Sequence, residues 1–261
     1  MSRKIRIPVR ALGSEVEDPE LADLSAWVAA HRGMEADLIT FKLEESLRGQ
    51  EDLDIPAAGG RFYMPRLIKA FSGVDDRVLK REPAVNHREV TADAEWITIL
   101  RKGAWCALPA PQLWGITDHY FHDHEEFLAS LSRCAKQLMR SMRDRGIKGH
   151  ILLCDHYRDE ELEELAGAKV RFYTEHPTMN DLSVLLERQR SIAVPADRIA
   201  SALGLLNEFE IARLTIVDPT QEVLKAVQSH FDPGSFEAGG YCRKDCPGYW
   251  GRIIESAFIV R

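Results

Sequence analysis

From residue 111 onward, short apolar runs alternate with stretches of helical period, and this alternation constrains the fold more than any other feature. Residues 113–117, 149–154, 169–174 and 213–217 read as strands. Between them, residues 123–144 place Phe127, Leu128, Leu131, Cys134, Leu138 and Met142 on one helical face, with Gly146 as the breaker. Residues 159–165, 180–190 and 220–231 read as helices, with one more near 197–206. Strands and helices alternating at this spacing predict parallel strands joined by right-handed crossovers. The expected class is therefore α/β, a mostly parallel sheet with crossover helices. Both a barrel-like closure and an open doubly wound sheet satisfy the pattern.

The first part of the chain is less regular. Residues 4–11 alternate charged and apolar side chains, as a half-buried strand does. Asp18 before Pro19 suits a helix start, Leu21, Leu24, Trp27 and Val28 follow at helical spacing, and Gly33 can close the helix. Residues 36–43 and 95–100 read as strands, while Pro56, the Gly59-Gly60 pair, Pro109 and Pro111 read as breakers. A soft boundary near residue 85 divides an N-terminal α/β segment, 1–85, from a main α/β region, 86–261. The two can still belong to one domain.

Composition narrows the function classes. The chain has 261 residues, 45% hydrophobic and 29% charged, which is enough apolar material for a core and argues against wholesale disorder. A formal net charge of -7 repels polyphosphates on average, so a small-molecule substrate is expected rather than nucleic acid or an anionic membrane. The basic stripe of Arg133, Lys136, Arg140 and Arg143 reads first as a solvated helix face. The N-terminal charges are not followed by the apolar stretch of a secretory signal, and no apolar run is long enough to cross a bilayer. Five widely spread cysteines, an odd number, suggest reduced thiols in a cytoplasm. On that ground Cys242 and Cys246 are predicted not to form a disulfide.

Three consecutive predicted strands end alike. They finish in Asp118-His119, Asp155-His156 and Glu175-His176, an acid followed by a histidine where the chain leaves the strand. In parallel α/β folds the carboxyl ends of the strands lie on one side, and sites are built there. Carboxylates with imidazoles suit a divalent ion such as Zn, Mn or Fe, which can activate water near neutral pH. Asp118, His119, Asp155, His156, Glu175 and His176 are the candidate metal ligands, and His122 and His124 the candidate general acid or base. A structural reading competes at each position: Asp123 is a natural N-cap, Glu125 and Glu126 suit a helix start, and the acid–histidine pairs can satisfy loop backbone.

Ile116-Thr117-Asp118-His119, ending a strand and followed by a helix, resembles the second motif of PHP-type metal-dependent phosphoesterases. The likeness extends through Glu126-Phe127 to Arg145-Gly146-Ile147-Lys148, over residues 114–153. It implies that Asp118 and His119 lie at a polynuclear metal site. The family's opening His-x-His is absent, with His87-Arg88-Glu89 alone before the motif. There is no phosphate-cradling glycine loop, Gly-x-Ser-x-Gly elbow or His-Glu-x-x-His helix, so nucleotide-loop, serine-hydrolase and zincin classes lack support. The expected function is a metal-dependent enzyme, foremost a hydrolase of phosphoesters or related small substrates. The alternatives are a noncatalytic α/β ligand-binding or complex subunit, and a redox or iron-sulfur protein acting through Cys242 and Cys246.

Overall fold

The computed structural model describes residues 4–32 and 36–260; Gly33, expected to close a helix, falls outside them. Eight parallel strands dominate: β1 (Val9–Ser14), β2 (Ala57–Gly59), β3 (Trp105–Pro109), β4 (His150–Leu153), β5 (Val170–Tyr173), β6 (Ser191–Pro195), β7 (Arg213–Val217) and β8 (Phe236–Cys242). Hydrogen-bonded ladders run β2-β3-β4-β5 and β6-β7-β8-β1. At one seam Ala11 N–H donates to the Ile55 carbonyl at 2.8 Å and Ile55 N–H to the Val9 carbonyl at 3.1 Å, joining β1 to the approach of β2. At the other, β5 lies beside β6. The result is a closed (β/α) barrel, one of the two arrangements that the alternation allowed.

Helices follow the strands in order: α1 (Leu21–Ala30) and α2 (Leu38–Ser46) after β1, α3 (Met64–Lys69) and α4 (Arg88–Leu100) after β2, and α5 (His124–Asp144) after β3. One helix follows each later strand: α6 (Asp159–Leu165), α7 (Met179–Arg188), α8 (Ile199–Gly204), α9 (Gln221–Gln228) and α10 (Cys246–Ser256). On α5 the apolar face is buried as expected, while Arg133, Lys136 and Arg140 are exposed, the solvated outer face of the helix. Residues 4–6 and 258–260 pair antiparallel, tying the two extremities of the fold together. Among the described residues no helix is long and apolar enough to cross a membrane.

Three elements differ from expectation. Residues 36–43 are helical from Leu38, because Asp37 caps them by accepting the Thr40 N–H at 3.0 Å. Residues 95–100 are the last turns of α4, whose buried Val90, Ala94 and Ile97 recur at helical spacing once the window opens earlier. The barrel strand before α5 is β3, not residues 113–117. Its Pro109 is the strand's last residue, where a missing N–H is tolerated, and only Thr117–Asp118 is extended beyond it. That two-residue segment joins a side sheet, parallel to Val78–Val85, which itself pairs antiparallel with Phe71–Asp75.

The barrel interior departs from a plain aliphatic filling. Every residue of β1 is buried, so the alternation read over residues 4–11 stops at Pro8. Buried Arg10 donates from Nε to Glu237 Oε1 at 2.5 Å, Thr215 Oγ1 donates to the same oxygen at 2.7 Å, and the guanidinium lies 4.5 Å from the Trp105 ring centroid. An interior ion pair survives only with partners of this kind, because neither charge can reach water.

Candidate active site at the barrel mouth

The carboxyl ends of β1, β2, β4, β5 and β8 converge on one cavity of about 770 Å³. Glu15, Val16 and Glu17 reach it from the end of β1, and Arg61 from the turn after β2. Asp155 and His156 enter from β4, Thr174, Glu175 and His176 from β5, and Arg243 from β8. Strand direction alone brings these residues together, since parallel strands deliver their carboxyl ends to one face.

Charges of opposite sign face each other across the cavity. Arg61 Nη2 donates to Asp155 Oδ1 at 3.0 Å, and Arg243 is ion-paired with Glu175. Tyr241 donates its phenol proton to the Glu15 carboxylate, and Thr174 Oγ1 donates to the Asp155 carbonyl at 2.9 Å. His156 has its Nδ1 3.5 Å from Asp181 Oδ1, while its ring stays largely exposed to the cavity. Asp181 is a buried residue at the start of α7, in a reciprocal cap with Thr178. Burial works against its charge, but hydrogen bonds from Thr178, the Tyr157 N–H and His156 outweigh burial and hold the carboxyl below the usual range. A carboxylate kept ionised behind a solvent-facing imidazole is an arrangement suited to orienting a general base.

Two further side chains fix the backbone of this wall. Gln112 donates from Nε2 to the His156 carbonyl at 2.9 Å, and its N–H donates to Glu161 Oε1 at 2.6 Å. Burial raises the Glu161 carboxyl above its ordinary range, with the Gln112 hydrogen bonds opposing it. Beyond β7, Asp218 adopts a left-handed φ of 51° and accepts the Tyr249 phenol proton at 2.5 Å.

The four sequence candidates Asp155, His156, Glu175 and His176 share this cavity. Asp118, His119, His122 and His124 do not line it. Asp118 instead organises a turn: Oδ1 accepts the N–H groups of Tyr120 at 2.9 Å and Phe121 at 3.0 Å, and Oδ2 that of His122 at 2.7 Å. Desolvation opposes its charge, yet these three donors outweigh it and hold the carboxyl below the usual range. His122 completes the turn in a left-handed conformation, φ 57°. His119 is exposed and its backbone N–H donates to the Leu79 carbonyl at 3.0 Å; His124 Nε2 lies 3.5 Å from Arg158 Nη1. Asp123 caps α5 by accepting the Glu126 N–H at 2.9 Å.

Among the described residues no group of three or more His, Cys, Asp or Glu side chains is arranged to hold a metal ion. At the mouth, the Asp155 and Glu175 carboxylates are engaged by guanidinium groups rather than directed at a common point. The residues as they stand do not fit the divalent-ion centre expected from sequence. The cysteine expectation is also corrected. Cys242, the last residue of β8, and Cys246, the first of α10, form a disulfide with their Cα atoms 5.7 Å apart. Asp245, left-handed at φ 47°, turns the chain sharply enough for the two sulfurs to meet. Thiols bonded to each other present no thiolate to an iron-sulfur cluster. Cys106, Cys134 and Cys154 are free and buried.

Sequence reading missed Glu15, Glu17, Arg61, Asp181 and Arg243. Arg243 lay within the cysteine-bearing tail singled out for its sulfurs, and Arg61 directly after a glycine pair read as a breaker. In both places a charged residue just past a strand end was the available signal.

No protein-family model and no curated protein matches the chain. Solved structures do. A Listeria monocytogenes protein described as a vitamin-B12-independent methionine synthase superposes with a TM-score of 0.63 at 10% identity, covering 96% of this chain and 94% of that one. A B12-independent methionine synthase from Shewanella sp. W3-18-1, in complex with selenomethionine, superposes with a TM-score of 0.57 at 12% identity, covering 97% of each chain. This finding overturns the expected phosphoester hydrolase: these two structures, which share the barrel end to end, are described as methionine synthases and not as phosphoesterases. At such identities the likeness carries the fold and no activity.

Proposed function

We propose that the chain is an enzyme acting on a small zwitterionic substrate of the amino-acid type, held at the barrel mouth. One observation carries this reading: a single cavity walled by two arginines and four carboxylates, with Arg61 on Asp155 and Arg243 on Glu175. A molecule bearing both a carboxylate and an ammonium enters such a wall by exchanging partners, carboxylate onto guanidinium and ammonium onto Glu15, Glu17, Asp155 or Glu175. Neither charge is then left unpaired. A pure anion or a pure cation satisfies half the wall and strands the other half.

The position supports the reading, since barrels of this kind build their sites at the carboxyl ends of their strands. The volume suits a small ligand. The Shewanella neighbour is in complex with selenomethionine, an amino acid. His156, oriented by Asp181, is the group for moving a proton to or from such a substrate.

The test is a thermal-shift and calorimetry panel on the whole protein. It compares L-selenomethionine and the standard L-amino acids with matched amines lacking the carboxylate and matched acids lacking the amine. At least one amino acid should stabilise the fold, by about 2.7 kcal/mol at a hundred times its Kd, and its two half-analogues should stabilise it far less. Equal shifts from an amine or an acid alone, or none from any amino acid, would refute the reading.

A further inference from the structure

We propose that the Cys242–Cys246 disulfide is a thiol–disulfide exchange site that clamps Arg243 over the barrel mouth, so that a dithiol reductant loosens the mouth's basic wall. The ligand-binding part of this proposal rests on the reading above. The mechanical part stands on its own geometry.

The disulfide closes a small ring from the end of β8 to the first residue of α10, enclosing Arg243, Lys244 and Asp245. The three enclosed residues are exposed, so little packing holds them in place. Asp245, inside the ring, adopts a left-handed conformation, φ 47° and ψ 57°, that costs most side chains energy and that aspartate tolerates, and its carboxylate caps α10 by accepting the Gly248 N–H at 3.4 Å. From this ring the Arg243 guanidinium reaches Glu175 across the mouth, and Lys244 Nζ lies 3.9 Å from Glu17 Oε1. The disulfide thus positions a basic group of the candidate site through only one intervening bond along the chain.

Access is one-sided. Cys242 is fully buried on β8, whereas Cys246 is partly exposed and borders a second surface cavity of about 410 Å³, walled on its other side by Glu45 and Arg48. That cavity shares Glu15, Glu17 and Arg243 with the mouth. An incoming thiolate can therefore attack the Cys246 sulfur, breaking the S–S bond and expelling Cys242 as thiolate, which takes up a proton. The second thiol of the reductant attacks the mixed disulfide, frees Cys246 as a thiol and leaves the reductant oxidised. Two electrons and two protons pass to the protein.

With the ring open, Arg243 loses its fixed placement and must be ordered again each time a ligand carboxylate binds. Affinity should fall about three- to tenfold, the cost of immobilising one long side chain with its short loop.

The experiment compares oxidised protein, protein reduced with dithiothreitol, and Cys246→Ser. Thiol alkylation with mass spectrometry, amide hydrogen exchange and calorimetry with L-selenomethionine are measured on each. Under native conditions dithiothreitol should open the bond, and amide exchange should quicken at residues 243–248 while the barrel strands stay protected. Cys246→Ser should match the reduced protein and ignore reductant. A disulfide that resists reduction until the protein unfolds would overturn the proposal, as would unchanged exchange at residues 243–248 after reduction. Should neither form bind L-selenomethionine or any other amino acid of the panel, the substrate reading fails while the exchange data still judge the clamp; binding equal in both forms removes the clamp's effect on the mouth.

Discussion

Single residues at the mouth and in the side-sheet turn have opposite expected effects on substitution. Arg61 is half of an exposed ion pair, so Arg61→Ala should move stability little. Ligand affinity should fall at least about tenfold, because a hydrogen-bonded charge that meets the substrate is gone. His119→Ala should change neither, since the ring is exposed and away from the cavity, and stability should stay within about 0.5 kcal/mol. Calorimetry of amino-acid binding and a thermal melt on both variants check the contrast. A loss of affinity in His119→Ala would return the acid–histidine pair after residue 117 to the site. Where the strand was correctly located, the acid–histidine pairs Asp155-His156 and Glu175-His176 reach one cavity. At Asp118-His119 the same dipeptide instead folds a turn around the aspartate's two oxygens.

Elements were legible where apolar periodicity ran long. Helix α5, the short helix α6 and strand β7 stand where the pattern put them. Strands β3 and β6 were passed over because each short apolar run ends in a proline that reads as a breaker, and β2 and β8 because their glycines make the signal steric rather than hydrophobic. Strand β2 is Ala-Ala-Gly, and Gly59 has φ 88° with a would-be Cβ running into the Ala107 carbonyl. Across the seam, Gly13 on β1 packs against Gly59 and Ala107 in the same way. No window of apolar residues encodes a demand for the absence of a side chain. Gly59→Ala should therefore destabilise far more than a glycine-to-alanine exchange in an ordinary loop, by more than about 2 kcal/mol, through both the disfavoured φ and the clash. Urea denaturation of this variant beside Gly234→Ala, where a Cβ meets open space, measures the difference. Equal midpoints would mean that the seam yields.

At the scale of the molecule, the barrel holds titratable groups away from water, and this sets its acid tolerance. His150, first residue of β4, is fully buried, and burial followed by the nearby Arg143 charge pushes its pKa down to about 3. An unfolded histidine protonates near 6.5. Below that pH the unfolded chain binds a proton that the folded one refuses, so this contribution to stability is complete above about 6.5 and is lost as pH falls toward 3. The slope is about 1.4 kcal/mol per pH unit over that window. The depressed carboxyls of Asp118 and Asp181 act in the same sense at the acid end. Denaturation of His150→Leu between pH 7 and about 4 should show a shallower loss than wild type; parallel curves would mean that the imidazole finds a proton inside the fold. The interior pair of Arg10 and Glu237 carries a different consequence, because 227 positions of chain separate its members. Closing β1 against any strand but β8 would bury the Arg10 guanidinium without its carboxylate, so the pair selects the neighbour on which the barrel shuts.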